Sequence, residues 1–416
     1  MISSSGWRKP EWLSNLAFIC SWKWNCWEIS PQNLLNENYF TDTMRLMMAD
    51  KIRVGVIFGG RSGEHEVSLM SARSVLSVLD PQKYTVTQIG ITHDGAWVTG
   101  ENVWQALNDN KTTGLDRAVI FGDPSRPGLY RVDAAGSLSL VTPLDVIFPV
   151  LHGTFGEDGT LQGLLEMADV AYVGAGVLGS SVGMDKALFK DVMRTNGVPV
   201  TESILVTRAE IQNQIKAVME KAEAMSAYPL FVKPVNLGSS VGITKCSTPS
   251  DLYEGLMEAA RFDRRVLVEH GVSAREIEVS VLGNDDPQAS IPGEIVPAAD
   301  FYSYEAKYLD DRSQLLIPAP IPDETAARVR ELAVRAYKAA DIAGMARVDF
   351  LLDKNTGELF LNEINTIPGF TRISMYPKLW EATGLPYPAL VDRLIELALQ
   401  RKADRDQTER QYRREG

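Results

Sequence analysis

The sequence predicts an α/β protein with a doubly wound, Rossmann-like N-terminal domain followed by two α+β regions. Three observations carry this. Apolar runs at 52–58, 85–92 and 145–151 read as buried strands, and apolar-periodic segments at 67–79 and up to Leu165 read as helices. A turn of Gly59 and Gly60 separates the first strand from the first helix, so strand, turn and helix alternate as in parallel α/β units. A chain of 416 residues also exceeds one ordinary core and calls for two or three domains.

Each element follows in order. The first domain spans 49–174, about 120 residues in the manner of a doubly wound sheet, with ligand loops at its strand C-termini. Its boundary falls where glycine and serine cluster at 173–181. A second region, 175–268, holds helices at 186–196 and 209–224 and strands at 230–233 and 241–245. The third starts near 266 to 269 and runs to 405, ending in a helix through Leu399. The charged residues from Lys402 onward are expected to fray, with a tail at 406–416. Leu-Gly-Ser-Ser-Val-Gly occurs at 178–183 and 237–242, in contexts too different for a duplication.

The first 48 residues stand apart. They hold five of the eight tryptophans (Trp7, Trp12, Trp22, Trp24, Trp27) and two of the three cysteines, with neither helical nor strand periodicity. The apolar run near Leu16 is too short for a signal peptide. This segment reads as an extension outside the fold, translated from upstream of a start at Met44, Met47 or Met48; a partner-binding segment is the alternative.

Composition excludes several classes. A formal net charge of -12 argues against non-specific binding of nucleic acid or anionic membranes. Cys20, Cys26 and Cys246 have no C-x-x-C spacing, which suits a reducing compartment and argues against a disulfide framework or thiolate zinc site. No stretch approaches the roughly 18 to 20 apolar residues of a membrane span, so a soluble protein is expected, cytoplasmic given the reducing compartment that its cysteines suit.

Chemistry concentrates in the C-terminal half. In Pro229-Leu-Phe-Val-Lys233-Pro234, the strand ends at a lysine beside the small-residue loop Gly238-Ser239-Ser240, whose amides can point at an anion. A plain hairpin with a solvated lysine is the alternative. Gly238 to Gly242 also matches G-x-S-x-G, but a nucleophile elbow needs a helix directly after the serine, and Val241-Gly-Ile-Thr reads as a strand.

The segment 346–365 places two apolar strands around a turn at 353–358. A turn centred on Thr356 sets Asp349 opposite Glu363 and Arg347 opposite Asn365, all four on one face. Facing carboxylates in an apolar hairpin call for a cation, and oxygen donors suit Mg²⁺ or Mn²⁺; a merely charged exposed face is the alternative. The following loop, 366–374, turns at Pro368 and Gly369 and offers backbone amides and Ser374 to an oxyanion or a carboxylate.

Three further features stand out. Phe301 to Tyr308 gathers four aromatics around Glu305 and Lys307, either a lid or a packed surface loop. Glu64 and Glu66 open the first helix and suit its dipole. His152 ends a strand, where a substrate-side role is plausible. None of the four histidines is spaced as a ligand pair, and a dinucleotide fingerprint is absent.

Taken together, Glu64-His-Glu-Val-Ser-Leu69, His152-Gly with Gly156-Glu-Asp-Gly159, Met184-Asp-Lys186, Gly238-Ser-Ser-Val-Gly242, Tyr304-Glu-Ala-Lys-Tyr308, Arg347-x-Asp349 and Glu363-x-Asn365 strongly resemble D-alanine:D-alanine ligases of the ATP-grasp fold. The resemblance covers 52–399. It implies that Lys186, Lys233, Ser239 and Ser240 hold ATP phosphates and that Glu269 and Glu276 bind adenine and ribose. It implies two Mg²⁺ or Mn²⁺ ions on Asp349, Glu363 and Asn365, with ATP as co-substrate. Glu64 would meet the ammonium of the first D-alanine, Lys307 and Ser374 the carboxylate of the second, and Arg347 with the Gly369 amide the oxyanion. Tyr308, bonded with Glu64 and Ser239, accompanies dipeptide rather than depsipeptide formation in the family. A homodimer is likewise expected from the resemblance.

Overall fold

The computed structural model describes residues 51–238, 241–296, 314–371 and 373–409. The expected extension at 1–48, Ser239, Ser240, and the aromatic segment with Lys307 and Tyr308 lie outside the described residues.

Among the described residues the first domain is one sheet of strands β1 (Ile52–Gly59), β2 (Tyr84–Ile91), β3 (Trp97–Thr99), β4 (Asp116–Ile120), β5 (Leu129–Val132), β6 (Leu138–Thr142), β7 (Val146–Val150) and β8 (Ala171–Tyr172), ordered 6-5-4-3-2-1-7-8. Its half from β2 to β8 is parallel. Helix α1 (His65–Leu76) packs Leu69, Ala72 and Val75 against Val54, Val56 and Phe58 of β1. The short helix α2 (Val103–Asn108) adds Val103 and Leu107 to that side. Helix α3 (Thr160–Met167) packs Leu161 and Leu165 on the other side, against Ile57, Ile89 and Ile147. A strand buried on both faces must be apolar at every position, which is why β1 and β7 read as continuous runs. The doubly wound expectation therefore describes this half. The antiparallel meander from β3 to β6 gave no such run, because its strands are short and Leu138, Leu140 and Val141 of its edge are exposed.

Helices α4 (Val177–Met184) and α5 (Lys186–Thr195) lead into a four-stranded antiparallel sheet of β9 (Ser203–Thr207), β10 (Leu230–Pro234), β11 (Thr244–Cys246) and β12 (Arg265–His270), ordered 11-10-12-9. Helices α6 (Arg208–Met225) and α7 (Pro249–Phe262) start at capping boxes, Thr207 with Glu210 and Thr248 with Asp251, and cover one face. Leu230 and Val232 of β10 and Val266 and Val268 of β12 enter that core. Strand alternation then turns Lys233 and Glu269 to the opposite face. Two expectations change here. The strand expected at 241–245 begins only at Thr244, since Gly242 turns the chain with φ +69°. A domain boundary at 268/269 would cut β12, whose pairing to β9 and β10 extends to Glu269 and His270.

The last sheet contains β13 (Ala274–Gly283), β14 (Gln288–Ala289), β15 (Gly293–Val296), β16 (Gln314–Leu316), β17 (Gly344–Asp353) and β18 (Leu359–Asn365), ordered 16-15-13-17-18 with β14 beside β13. Ile277, Val279, Val281, Val348, Phe350 and Leu352 face helix α8 (Asp323–Ala339) through Val329, Leu332 and Ala336. Helices α9 (Met375–Thr383) and α10 (Tyr387–Arg405) return to the first domain, where Leu390, Leu394 and Ala398 join the core of β1 and β7.

The fraying expected from Lys402 is corrected. Lys402 pairs with Asp169 at 3.2 Å, and Arg405 with Asp169 at 2.9 Å and with Glu166, holding α10 to Arg405 against the end of α3. No helix of the described residues is long and apolar enough to cross a membrane.

Phe350 is 1% exposed and lies on the core side of the hairpin, between Asp349 and Leu351 of the other side. Phe350→Ala is expected to lower stability by about 3–5 kcal/mol through the cavity it leaves. Denaturant unfolding of the two proteins checks this.

Candidate active site

The face of β13, β17 and β18 opposite α8 is polar. Register pairs Glu278 with Asp349, Asp349 with Glu363 and Arg347 with Asn365, so these side chains share one side of the sheet. The hairpin register expected from the sequence holds at this end. On the turn side it shifts by one, Phe350 pairing with Leu361, and a bulge between Asp349 and Phe350 absorbs the difference. The extra residue is Asn362. Its Oδ1 stands 3.4 Å from Lys233 Nζ, so the bulge carries the hairpin to the neighbouring sheet.

Arg347 donates from Nε and Nη2 to the two oxygens of Asp349, at 2.8 and 2.7 Å, and Nε lies 3.1 Å from Glu278 Oε2. Burial works against the charge of this guanidinium, but Asp349, Glu278 and then Glu363 outweigh it and hold Arg347 protonated. Asn365 Nδ2 donates to Asp349 Oδ2 at 2.9 Å, which leaves its carbonyl oxygen for another partner. Among the described residues no three His, Cys, Asp or Glu side chains converge on one point. The hairpin offers two facing carboxylates and an amide oxygen, a partial set of hard donors that fits an ion completing its shell with phosphate and water.

The lysines gather beside it. Lys186 opens α5, whose N-cap Asp185 accepts from Leu188 N at 3.0 Å, and its Nζ donates to Leu237 O at 2.6 Å, in the loop leading to Gly238. Lys233 Nζ meets Glu269 Oε2 at 2.6 Å, and Lys190 Nζ meets Glu269 Oε1 at 3.1 Å. Burial alone would raise the Glu269 carboxyl, yet the two ammonium groups bring it down to about 2. At Lys190 burial wins over the attraction of Glu269, with Lys233 adding repulsion, and its pKa is lowered. The opposite senses are consistent: one carboxylate faces two cations.

On the first-domain side, Glu64 sits at the N-cap of α1 but makes no side-chain cap hydrogen bond. Its carboxylate instead lies against Gly153 and Gly238, where a Cβ on either residue would collide with Oε2. Gly153 also has φ +71°, so both its conformation and its space demand glycine. Glu64 thus stands at the start of α1 with its carboxylate turned toward Gly153 and Gly238.

The loop after β18 is held from the first domain. Phe370 N donates to Ser71 Oγ at 3.2 Å, which stands 3.1 Å from His152 Nε2, and His152 Nδ1 is 2.9 Å from Ile367 O. Because a carbonyl only accepts, Nδ1 carries the proton and Nε2 accepts from Ser71. Burial foremost lowers the His152 pKa and keeps the ring neutral. Glu157 accepts from Gly153 N at 2.8 Å and Ile367 N at 3.0 Å, one oxygen to each loop. Ser374 Oγ accepts from Thr371 N at 3.0 Å and lies so near Gly369 that a Cβ there would stand 2.7 Å from it.

These surroundings agree with the comparisons to known proteins. A family model described as D-ala D-ala ligase N-terminus matches residues 53–175, and one described as D-ala D-ala ligase C-terminus matches 192–396. The chain belongs to the D-alanine–D-alanine ligase family. A D-alanine–D-alanine ligase of Heliobacterium modesticaldum is 50% identical, covering 86% of this chain and 98% of that one. The one from Acetivibrio thermocellus is 47% identical over 86% and 98%. Among solved structures, the D-alanine–D-alanine ligase of Coxiella burnetii superposes with TM-score 0.73 at 37% identity, over 86% of this chain and 97% of that one. The VanG D-Ala:D-Ser ligase of Enterococcus faecalis gives 0.75 at 35% identity, over 84% and 100%. The neighbouring folds make the two C-terminal sheets those of an ATP-grasp ligase.

Two of the expected site residues are engaged within the protein. Both ring nitrogens of His152 meet protein partners, bracing Ser71 to Ile367. The Glu269 carboxylate holds Lys190 and Lys233, one on each oxygen. Glu276 lies on the same face as Glu278, two residues away on β13. Glu278 and Lys190 were missed, since each meets its charged partner across a long stretch of chain, with the alternation Glu276, Glu278 as the local signal; Glu157 stood in the quoted motif Gly156-Glu-Asp-Gly159 without a role, because its bond to Ile367 N spans 210 residues.

Burial, then repulsion from Glu64, raises the Glu157 carboxyl to about 8 against its two backbone donors and Arg347. From the ordinary 4.5 up to about 8 the folded state binds more protons here than the unfolded chain, so this group makes stability fall as pH rises through that window. Glu157→Gln is expected to flatten that fall. Urea midpoints measured across the window check it, an unchanged slope refuting the assignment.

Proposed function

We propose that this family member is an ATP-dependent ligase that joins two D-alanine molecules through a D-alanyl phosphate and releases ADP and phosphate. The observation that carries the reading is Arg347 on one face with Asp349, Glu363 and Asn365, joined through Asn362 to Lys233. A guanidinium beside the carboxylate pair is placed to take negative charge that develops during a reaction. The dipeptide would feed peptidoglycan precursor synthesis in the cytoplasm, from a homodimer.

Lys186 and Lys233 would neutralise the ATP phosphates, with Ser239 and Ser240 closing over them and Glu276 holding the ribose. Glu64 would bind the ammonium of the first D-alanine. The carboxylate oxygen of that molecule attacks the γ-phosphorus as the bond to the bridging oxygen of ADP breaks. Asp349, Glu363 and Asn365 would hold two Mg²⁺ or Mn²⁺ ions, which supply neutralisation of phosphate oxygens. The second D-alanine, its carboxylate on Lys307 and Ser374, then attacks the acyl carbon through its amine. Arg347 and the Gly369 amide would take the negative charge on the tetrahedral oxygen until phosphate leaves and the nitrogen loses its proton. Because an acyl phosphate hydrolyses readily, the aromatic segment around Tyr308 would exclude water.

Phosphate release from MgATP is expected to require D-alanine and to yield one dipeptide for each phosphate. Release without any dependence on D-alanine would overturn the function. A relative named D-Ala:D-Ser ligase among the solved structures makes the acceptor the finer question. With Tyr308 present, D-lactate is expected to give no appreciable depsipeptide at neutral pH, and chromatography of the products decides that point.

A further inference from the structure

Lys190 is a buried cation to which the chemistry above gives no task. It lies on α5 one turn beyond Lys186, with a side chain 1% exposed. Thr201 Oγ1 holds its Nζ at 2.8 Å, and Glu269 Oε1 at 3.1 Å. The second oxygen of Glu269 takes Lys233 at 2.6 Å. Lys233 is more open, 13% exposed, with Asn362 as a distant second partner at 3.4 Å.

We propose that Lys190 is a positioning residue, the permanent counter-ion of Glu269 that frees Lys233 to move onto the nucleotide phosphates. This rests on the reading of Lys233 as a phosphate ligand. A buried carboxylate whose sole cation departs is left uncompensated, which is strongly unfavourable. With Lys233 as its only partner, Glu269 would hold that lysine back from ATP. Lys190 removes the trap. Each oxygen of Glu269 serves a different ammonium, so Lys233 can leave without disturbing the other contact. Burial and the bond to Thr201 decide which of the two stays. Before the nucleotide arrives, two ammonium groups against one carboxylate also leave an unbalanced positive charge, which an anion relieves.

The test is calorimetric titration with MgADP and, separately, with adenosine, on native protein, Lys190→Met, Glu269→Gln, the double variant and Lys233→Met. Lys190→Met is expected to weaken MgADP about tenfold, the scale of one weakened ionic contact, while adenosine binding stays within about twofold. In the Glu269→Gln background, where no trap exists, removing Lys190 should leave MgADP affinity within about twofold. Unchanged MgADP affinity in Lys190→Met overturns the proposal. So does an equal loss for adenosine, or a loss that persists in the Glu269→Gln background. Should Lys190→Met fail to fold, the comparison of Glu269→Gln with the double variant decides alone. Lys233→Met separates the underlying reading: native-like MgADP binding there overturns the phosphate role itself, whereas a loss there with a native-like Lys190→Met overturns only the role of Lys190.

Discussion

Arg347, its side chain 19% exposed, is paired with the carboxylates of Asp349 and the buried Glu278 on one face of a three-stranded stretch, and the rest of the site is arranged around that cluster. Charges removed from water cost several kcal/mol each unless fully paired, and stranding one partner costs about 3–5 kcal/mol. The cluster therefore fixes its neighbours. Strand β13 must lie beside β17 in the register that sets Glu278 against Asp349, and β18 must bring Asn365 opposite Arg347. The reverse face has to be apolar throughout, because α8 packs there. A slip of one residue would send the cluster into that core, which is why the register is so strongly specified.

The same logic explains how a chain of net charge -12 can hold a polyanion. At the site, cations are set into pairs: Arg347 with Asp349 and Glu278, Lys190 and Lys233 with Glu269, Arg265 with Asp185 at the cap of α5. Asp349 and Glu278 keep Arg347 aimed before any ligand arrives, and such preorganisation is what makes charge stabilisation effective. The acidity of the sequence is thus partly the scaffolding of the anion site. Net charge excludes a polyanion-coated surface; it does not exclude a local cationic pocket.

How much of this the sequence showed depends on the range of each interaction. The parallel strands were legible because burial on both faces writes itself as an unbroken apolar run, as in β1 and β7. The hairpin face was legible because both strands lie within twenty residues and alternate with period two. Its bulge was not, since nothing in the composition of 349–362 marks the one-residue shift that turns Asn362 toward Lys233. Glu278 and Lys190 were beyond reach for another reason: their partners lie 69 and 79 residues away, so only the folded sheets reveal them. Glu269 was legible only as a motif position; that its two oxygens each hold a lysine shows only once β10, β12 and α5 are brought together.

Beside the core shared with α10, the first domain meets the loop after β18 through backbone-directed bonds. Glu157 accepts one amide hydrogen bond from each loop, His152 donates one to the Ile367 carbonyl, and Ser71 accepts one from the Phe370 amide. Bonds to the main chain fix the path of residues 366–370 whatever their side chains are, so the amide of Gly369 is held in direction by its neighbours on both sides. Its lack of a Cβ then lets Ser374 close against it. Since Ile367 follows Asn365 by two residues, the same segment that ends the ionic face begins this loop. The placement of Glu64 against Gly153, on the loop that Glu157 also grips, completes the circuit: moving the hairpin register would displace the loop, then Glu157, then the surroundings of Glu64. Ionic face and substrate side are therefore one mechanical unit, although they arise from opposite ends of the chain.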